Sequence, residues 1–480
     1  MSILVVDIGT TDVRASVVQP DGSIACLHQG EMSTSSPGAG LSEFDPANLA
    51  EAALDMAGAA LHEAGHVEAV GIACQRASTI VWDRITGVPV GPGLGWQDLR
   101  TVMACLELQS QGVRLAPNQS ATKLVYLLDA ADPDRNRDLC FGTVDTWMAW
   151  VLSDGALHAE DATNAGVTGL VTTDASGWDE RVLEVLRIPR GVLPAIVDSS
   201  GVIGRASALE GAPPIAGLVG DQQASLIGQG CIKTGDAKVT LGTGGMLDLC
   251  LGASRPEFET RGDHGTFPIV AWRQGGRTTW GVEATMLSAG TCMEWLRDDL
   301  GLIVSAHECD ELAGSCPDAG GIWFVPALFG LGTPEWDYGA RGALLGLTRG
   351  AGRAQIARAV LEGIAHRVTD LVEAAEADTG CEIKVLRVDG GMSQSDVLMQ
   401  ALSDASSRQV EVSTVTEATT LGAGFLAGVA VGVWRDLPDA TSTVRSRSVI
   451  EPQRQLDRAG WADARQRAFR AVPALSEVQF

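Results

Sequence analysis

Basic residues are scarce in this sequence. Lysine and arginine total 35 against 60 aspartates and glutamates, which gives a formal net charge of −25. A surface with such an excess of negative charge repels phosphate backbones and anionic lipid headgroups, so no nucleic-acid or membrane partner is expected. A small phosphorylated ligand is not excluded, because it needs only a local cradle of backbone N–H groups.

Long hydrophobic runs and metal-type cysteine spacings are also missing. No apolar stretch is long enough to span a bilayer, and the chain opens on the strand-like ILVVDIG without a basic leader. The ten cysteines form no C-x-x-C pair, and most, such as Cys74, Cys231 and Cys250, lie within apolar runs. These absences predict a cytoplasmic protein whose cysteines are small buried apolar side chains.

Two β-hairpins of the same design divide the chain, at 3–24 and 237–250. Each has an apolar strand, a turn of glycine and threonine, and a second strand. Between and after them, strands alternate with helical segments, which predicts α/β domains with mixed sheets. We therefore expect two copies of one fold facing a central cleft, divided as 1–232 and 233–480, with the amphipathic segment 452–469 packing as a helix on the second half.

Both glycine-threonine turns are candidate phosphate sites. Such a turn directs consecutive N–H groups and hydroxyls at one point, which suits an anion. One such turn is more often an ordinary hairpin, but two in register favour phosphate binding. Asp7 ends the first strand, and a carboxylate beside bound phosphates needs Mg²⁺ between them, so Asp7 is predicted to be a metal ligand, directly or through water.

A third glycine site follows the apolar strand at 385–389, where Gly390 and Gly391 precede a helix. Glycines at such a junction let a flat ligand lie against the backbone near a helix N-terminus. Alone this signal is weak. Together with the two hairpins it predicts an adenine-nucleotide site built from both halves.

Asp221 lies in GLVGDQQASLIGQG (217–230), between a buried strand end and a buried helix start. A carboxylate at such a junction is costly unless it is paired or used in chemistry. It could cap the helix or act at the cleft, and the two roles are compatible.

An ordered set of motifs makes the chain resemble the FGGY family of carbohydrate kinases, within the actin-like ATPase superfamily, and most closely the glycerol kinases among its members. The motifs occupy 7–15, 74–90, 95–101, 142–152, 220–231, 241–247, 288–300, 324–347, 389–404 and 417–434. The resemblance implies two actin-like, ribonuclease H-like α/β domains with mixed sheets facing a central cleft. It also implies ATP and Mg²⁺ as cofactors and a small polyol or sugar as substrate, with a homodimer and a homotetramer both open as assemblies.

The resemblance also implies roles for individual residues. Asp221 falls at the family's catalytic base, and Gln222 should bind a neighbouring substrate hydroxyl. The phosphates should be met by Thr10, Thr11, Asp12 (often Ser in the family) and Arg14 from one side and by Gly242 and Thr243 from the other. The adenosine contacts fall at Gly290, Glu294, Gly390, Gly391 and Ser395, of which Glu294 replaces a usual Gln and Ser395 a usual Asn.

The acceptor pocket should be built mostly from the first half, with Arg76 donating to vicinal hydroxyls and Trp96 forming an apolar wall. Core packing for Trp96 and a salt bridge between Arg76 and Asp98 are the structural alternatives. Three positions depart from the glycerol kinases. Ala77 replaces a Glu, Asn118 a Tyr that binds glycerol, and Met246 an aromatic residue facing the glycerol carbons.

These losses predict that glycerol is a poor substrate, and that a polyol or ketose of four or five carbons uses the freed space. Asn118, Gln119 or Ser78 could meet its extra hydroxyls. Glycerol itself and a xylulose- or ribulose-type ketose remain alternative acceptors. Different classes of function also remain open, namely a non-catalytic actin-like sugar or ATP sensor and a chaperone or filament-forming ATPase.

Overall fold

The computed structural model describes residues 1–478. The first half of the chain contains thirteen strands: β1 Ile3–Ile8, β2 Asp12–Val18, β3 Ile24–Glu31, β4 Thr34–Ser35, β5 Glu43–Phe44, β6 Ala69–Cys74, β7 Ile80–Asp83, β8 Gly93–Leu94, β9 Leu139–Gly142, β10 Ala159–Asp161, β11 Ala195–Val197, β12 Ser200–Arg205 and β13 Pro214–Gly220. Its seven helices are α1 Pro46–Ala64, α2 Val102–Ser110, α3 Ser120–Ala131, α4 Val144–Leu152, α5 Ala162–Ala165, α6 Glu180–Leu186 and α7 Asp221–Gly228.

The second half, described as far as residue 478, contains nine strands: β14 Ala237–Leu241, β15 Gly245–Gly252, β16 Phe267–Gln274, β17 Arg277–Met286, β18 Trp323–Val325, β19 Ala343–Leu345, β20 Val385–Asp389, β21 Gln409–Ser413 and β22 Ser446–Ile450. Its eight helices are α8 Gly290–Glu294, α9 Ala306–Gly314, α10 Arg353–Thr379, α11 Asp396–Ser406, α12 Ala418–Ala430, α13 Leu437–Thr441, α14 Arg458–Gln466 and α15 Pro473–Ser476. Short 3-10 turns occur at Arg190–Val192 and Gly391–Gln394, and a π-helical turn at Trp295–Asp299.

The main sheet repeats one strand pattern in each half. Strand β1 is antiparallel to β2 and parallel to β6, and β6 is parallel to β13. In the second half β14 is antiparallel to β15 and parallel to β20, and β20 is parallel to β21. This repetition confirms the predicted two-domain α/β fold with mixed sheets.

The two half-sheets meet at strands β12 and β16, whose register contains one paired position, Ser200 with Gln274. This pairing makes a 13-stranded sheet in the order β22-β21-β20-β14-β15-β17-β16-β12-β13-β6-β1-β2-β3. The halves are therefore joined at one edge of each sheet through a short contact.

Helix α12 lies on the sheet of the first half, although it comes late in the chain. It contacts β13, β6 and β1 and packs closely on α7. One hydrophobic core therefore joins Ile3 and Ile227 to Phe425 and Trp434. The boundary at 232/233 stays a prediction, because this later segment shares the core of the first half.

Helix ends follow ordinary capping chemistry. Asp45 accepts hydrogen bonds from the backbone N–H of Ala47 (2.8 Å) at the start of α1, and the helix ends at Gly65 with φ +75°. The helix predicted over 452–469 is shorter in the structure, because Asp457 caps α14 by accepting from the Gly460 N–H at 2.8 Å. It packs on the second half as predicted, with the buried Trp461 indole donating to Asp370 of α10 at 3.1 Å.

Eight of the ten cysteines are buried, as the apolar runs around them predicted. Within residues 1–478, no helix combines the length and the apolar character that crossing a membrane requires.

Candidate active site

The site forms where three parallel neighbouring strands end. Strands β1, β6 and β13 lie side by side, with Ile8 and Gly220 both opposite Cys74. The carboxyl ends of parallel strands meet at one edge of a sheet, which is where α/β proteins bind ligands. Asp7 near the end of β1, Arg76 just after β6 and Asp221 just after β13 therefore meet at one edge.

Asp221 is the first residue of α7, and Gly220 occupies the capping position, so the capping alternative for Asp221 is wrong. Its Oδ1 accepts from the Gln222 N–H at 2.7 Å and lies 3.4 Å from Nε of Arg76. Burial raises the pKa of Asp221, and the positive charge of Arg76 opposes that rise. The carboxylate is thus paired while 31% of its side chain stays accessible from the cleft.

Arg76 links the two halves across the cleft. Its Nη2 lies 2.7 Å from Oε2 of Glu283 on β17, and its side chain is only 12% exposed. Burial lowers the pKa of Arg76, but the charges of Glu283, Asp221 and Asp248 more than offset this and hold it above the usual value. Arg76 is therefore ion-paired, and its hydrogen bonds to an acceptor stay a prediction.

One face of the second half-sheet is polar and faces this region. Register pairs Lys238 with Asp248, and Asp248 with Glu283, so these three charged side chains lie on one face of β14, β15 and β17. The alternate residues, among them Val239 and Leu247, are buried in the core. We did not predict from the sequence that Lys238, Asp248 and Glu283 belong to the site. Polar residues alternating with apolar ones in 237–250 were the available signal, but their partners depend on strand register.

Lys238 and Asp248 are fully buried and 2.8 Å apart. Lys238 Nζ also donates to Oε1 of Gln222 at 2.6 Å and to Oγ1 of Thr240 at 2.8 Å. Burial raises the pKa of Asp248 to about 7 against the opposing charge of Lys238. Gln222, predicted to bind the acceptor, is thus held from the second half.

The first hairpin turn lies next to the predicted acceptor wall. Trp96 is half-buried, and its indole Nε1 donates to Oγ1 of Thr10 at 3.2 Å. Thr11 is exposed beside it. A Cβ at Gly9 would lie 2.7 Å from Oδ1 of Asp12, so the turn requires glycine there. The structure brings Thr10 and Trp96 together, while their contacts to ligands stay predictions.

Asp12 and Arg14 are bound to protein partners. Arg14 lies 2.7 Å from Asp12 and 2.5 Å from Glu417, and Gln29 donates to Asp12 at 2.7 Å. Both side chains are therefore engaged, and their predicted phosphate contacts stay predictions.

Asp7 supplies a carboxylate for the predicted magnesium ion, and that assignment stays a prediction. The residue is 8% exposed, and burial raises the pKa of its carboxyl to about 7 despite the opposing charge of Arg14. The hydroxyl of Thr420 donates to it at a long 3.4 Å. Within residues 1–478 no group of three or more His, Cys, Asp and Glu side chains could hold a metal.

The second hairpin turn is exposed at Gly242 and Thr243 and is tied to α8. The Gly290 N–H donates to the Gly242 carbonyl at 2.9 Å, and a Cβ at Gly290 would lie 2.6 Å from that oxygen. Gly390 has φ +86°, and a Cβ there would lie 2.4 Å from the Leu241 carbonyl. Gly391 has open space beside it. The glycines predicted to contact the nucleotide are thus required by close backbone approach around one turn.

The two predicted adenosine residues that depart from the family have different surroundings. Glu294 is exposed at the end of α8. The Ser395 hydroxyl caps α11, accepting from the Leu398 N–H at 3.0 Å and donating to Asp310. A nucleotide contact by either residue stays a prediction.

The remaining acceptor residues are unevenly available. Ser78 is fully buried, and its hydroxyl is used by Gln75 (3.2 Å) and by the Trp96 N–H (3.1 Å), so the expectation that Ser78 meets an acceptor hydroxyl is wrong. The alternative salt bridge between Arg76 and Asp98 is wrong, because Asp98 pairs with Arg100 at 2.8 Å while Arg76 pairs with carboxylates elsewhere. Asn118 is exposed, and Met246 is half-buried on β15.

Ala77 is buried with φ +59°, in the left-handed region that favours glycine. Its carbonyl accepts from the hydroxyls of Ser120 at 3.1 Å and Thr79 at 3.2 Å. These contacts fix the backbone that follows Arg76.

Comparison with known proteins assigns this arrangement to a family. The profile of the N-terminal domain of the FGGY family of carbohydrate kinases matches residues 2–228, and the profile of its C-terminal domain matches 237–431. The chain belongs to the FGGY family of carbohydrate kinases. It is 42% identical to a glycerol kinase from Aromatoleum aromaticum over 97% of each chain, and 40% identical to one from Trichlorobacter lovleyi over 98% of each.

Solved structures agree with this FGGY assignment. A Plasmodium falciparum glycerol kinase with ADP matches with a TM-score of 0.91 at 27% identity, covering 100% of this chain and 99% of that one. A ligand-bound xylulose kinase from Lactobacillus acidophilus has the same fold, with a TM-score of 0.84 at 20% identity over 97% of this chain and 96% of that one. This FGGY kinase is thus an ATP-dependent enzyme that phosphorylates a sugar or polyol.

Proposed function

We propose that this FGGY kinase transfers the γ-phosphoryl group of ATP to one hydroxyl of a four- or five-carbon polyol or ketose, with Asp221 as the general base. The observation that carries the proposal is the contact of Asp221 with Arg76 at the strand edge facing the cleft. A carboxylate paired with Arg76 there, yet reachable from the cleft, suits the removal of a proton from a bound hydroxyl.

The chemistry requires positioning and charge stabilisation more than covalent help. Asp221 accepts the acceptor proton as the acceptor oxygen bonds to the γ-phosphorus and the bond from that phosphorus to the ADP oxygen breaks, which releases ADP. Thr10 and Thr11 hold the phosphates from the first half, and Gly242 and Thr243 hold them from the second. Asp7 would hold magnesium beside the phosphates, and the ion would supply positive charge to neutralise them.

Three positions determine the proposed size of the acceptor. Ala77 has no carboxylate, exposed Asn118 has no ring, and Met246 is a flexible thioether. Relative to the glycerol kinases, two polar partners of a three-carbon substrate are lost or shortened. Each hydroxyl left unpaired forfeits about 1–3 kcal/mol, while the freed space accepts a longer carbon chain.

Glycerol is the second candidate acceptor, and the names of the curated relatives favour it. Specificity constants for glycerol, erythritol, ribulose and xylulose, measured by ADP release, distinguish the two. We expect one of the longer acceptors to exceed glycerol. Glycerol exceeding all of them tenfold would overturn the proposed acceptor while leaving the kinase activity intact.

A gain-of-function variant sharpens the test. Ala77→Glu restores a carboxylate next to Arg76, so glycerol kcat/KM should rise about tenfold, the equivalent of one recovered charged hydrogen bond. Ala77→Gly is the matched control, because it relieves the positive φ without supplying a carboxylate. An equal gain in both variants would assign the effect to backbone strain instead.

A further inference from the structure

Lys238 is a fully buried cation beside the proposed acceptor pocket. Its ammonium has three donors, and the structure supplies three acceptors, from Asp248 at 2.8 Å, Gln222 at 2.6 Å and Thr240 at 2.8 Å. Lys238 is fully buried and these three contacts are all to protein atoms, so it does not reach a ligand directly. Its effect on a ligand must pass through one of these partners.

Gln222 is the partner that reaches the cleft. An ammonium only donates, so the side-chain oxygen of Gln222 must face Lys238 and its Nε2 must face the other way. That Nε2 donates to no protein atom within residues 1–478, and it is not among the buried polar atoms there that lack a partner, so it is not fully buried. The amide therefore presents donors to the cleft and no acceptor.

Asp248 stabilises the ammonium of Lys238 in this buried site. A lone ammonium without solvent is strongly unfavourable, and a paired carboxylate offsets that cost. Asp248 lies opposite Lys238 on β15 and opposite Glu283 on β17, with Arg76 next to Glu283. Next to Gln222, the two positive side chains thus flank the two negative ones, in the order Lys238, Asp248, Glu283 and Arg76.

We propose that Lys238, paired with Asp248, is a positioning residue that fixes Gln222 as a hydrogen-bond donor to an oxygen of the acceptor. The inference rests on the proposed function and adds a selectivity rule to it. The oxygen that meets Gln222 must accept a hydrogen bond, as a ketone carbonyl or a hydroxyl lone pair does.

The test is a double-mutant cycle measured with the best acceptor of the panel. Lys238→Met combined with Asp248→Leu replaces the ion pair by apolar side chains and leaves no buried charge unpaired. In the wild-type background this change should raise the acceptor KM about five- to tenfold, the value of one oriented hydrogen bond, with the ATP KM unchanged. In a Gln222→Ala background it should raise the acceptor KM no further.

Gln222→Glu is the second variant. It keeps an oxygen for Lys238 but has no N–H donor, so its acceptor KM should rise as much as in Gln222→Ala. If the protein with Lys238→Met and Asp248→Leu fails to fold, the acceptor KM of Gln222→Glu tests the inference alone.

Two results would overturn the inference, namely additive effects in the cycle or a wild-type acceptor KM in Gln222→Glu. Absence of acceptor-dependent ADP release from the wild-type enzyme would instead overturn the proposed function, and the inference with it.

Discussion

At the scale of single residues, the buried carboxylates differ in what neutralises them. Asp221 has Arg76 and Asp248 has Lys238. Asp145 and Glu160 share the hydroxyl of Thr143, which lies 2.7 Å from Glu160, and Asp145 also accepts from the Asp161 N–H at 3.0 Å. One hydroxyl proton cannot serve two carboxylates, so one of the two acids must carry a proton itself.

This pair makes stability depend on pH. Burial raises the pKa of Asp145 to about 7 and that of Glu160 well above its usual value. The folded state then binds more protons than the unfolded chain, so stability falls as pH rises from the unfolded pKa values near 4 through 7.

Glu160→Gln should therefore raise the melting temperature at pH 8, because the amide needs no proton. The gain should shrink towards zero at pH 5, where Glu160 is protonated in the fold. Thermal unfolding across this range measures it, with Glu184→Gln on the exposed face of α6 as the control. A gain that is absent at pH 8, or constant with pH, would show that Glu160 is not held protonated.

Residues of the site could be predicted from the sequence where they follow a recognisable strand. Asp7, Arg76 and Asp221 were predictable, because each follows an apolar run that ends abruptly. Lys238 and Asp248 were not, because their roles follow from register across β14 and β15. The hydroxyl of Ser78 was assigned wrongly, since burial by the Trp96 loop is a tertiary property.

At the scale of elements, the position of α7 depends on its contact with α12. A Cβ at Gly228 would lie 1.9 Å from the Ala418 carbonyl, and a Cβ at Gly422 would lie 1.8 Å from the Ala224 carbonyl. The two backbones approach too closely for any side chain. Because α7 begins with Asp221, this contact also places the proposed base.

Gly422→Ala should destabilise the protein by about 1–3 kcal/mol through overpacking and lower kcat by displacing α7. Denaturant unfolding and turnover measure both effects. Gly58→Ala in α1 is the matched control, because no atom lies within 4 Å of the added Cβ, and it should stabilise by about 0.5–1 kcal/mol. Equal behaviour of the two variants would contradict the proposed role of the close contact.

Element types were largely predictable and their partners were not. The hairpins at both turns, α1 and α10 follow from strong periodicity in their own residues. The placement of α12 on strands of the first half does not, because its apolar surface would fit either sheet. The order of segments along the chain therefore predicts two separate halves, whereas in the structure α12 belongs to the core of the first half.

At the scale of the whole molecule, the two half-sheets meet through one paired position, Ser200 with Gln274. Kinases exclude water from a reactive phosphoanhydride by closing, so we expect the two halves to close over the bound ligands. With acceptor and a non-hydrolysable nucleotide bound, small-angle scattering should give a smaller radius of gyration than the free protein gives. An unchanged profile at saturation would count against closure.

The proposed mechanism depends on Asp221 as the general base, and Asp221→Asn tests this role most directly. The amide keeps the shape of the carboxylate but cannot accept the acceptor proton. Acceptor-dependent ADP release should fall about 10²–10⁴-fold, with nucleotide affinity almost unchanged in a parallel binding measurement. A variant that retained more than about a tenth of wild-type turnover while making the same phosphate ester would contradict the assignment of Asp221 as the general base.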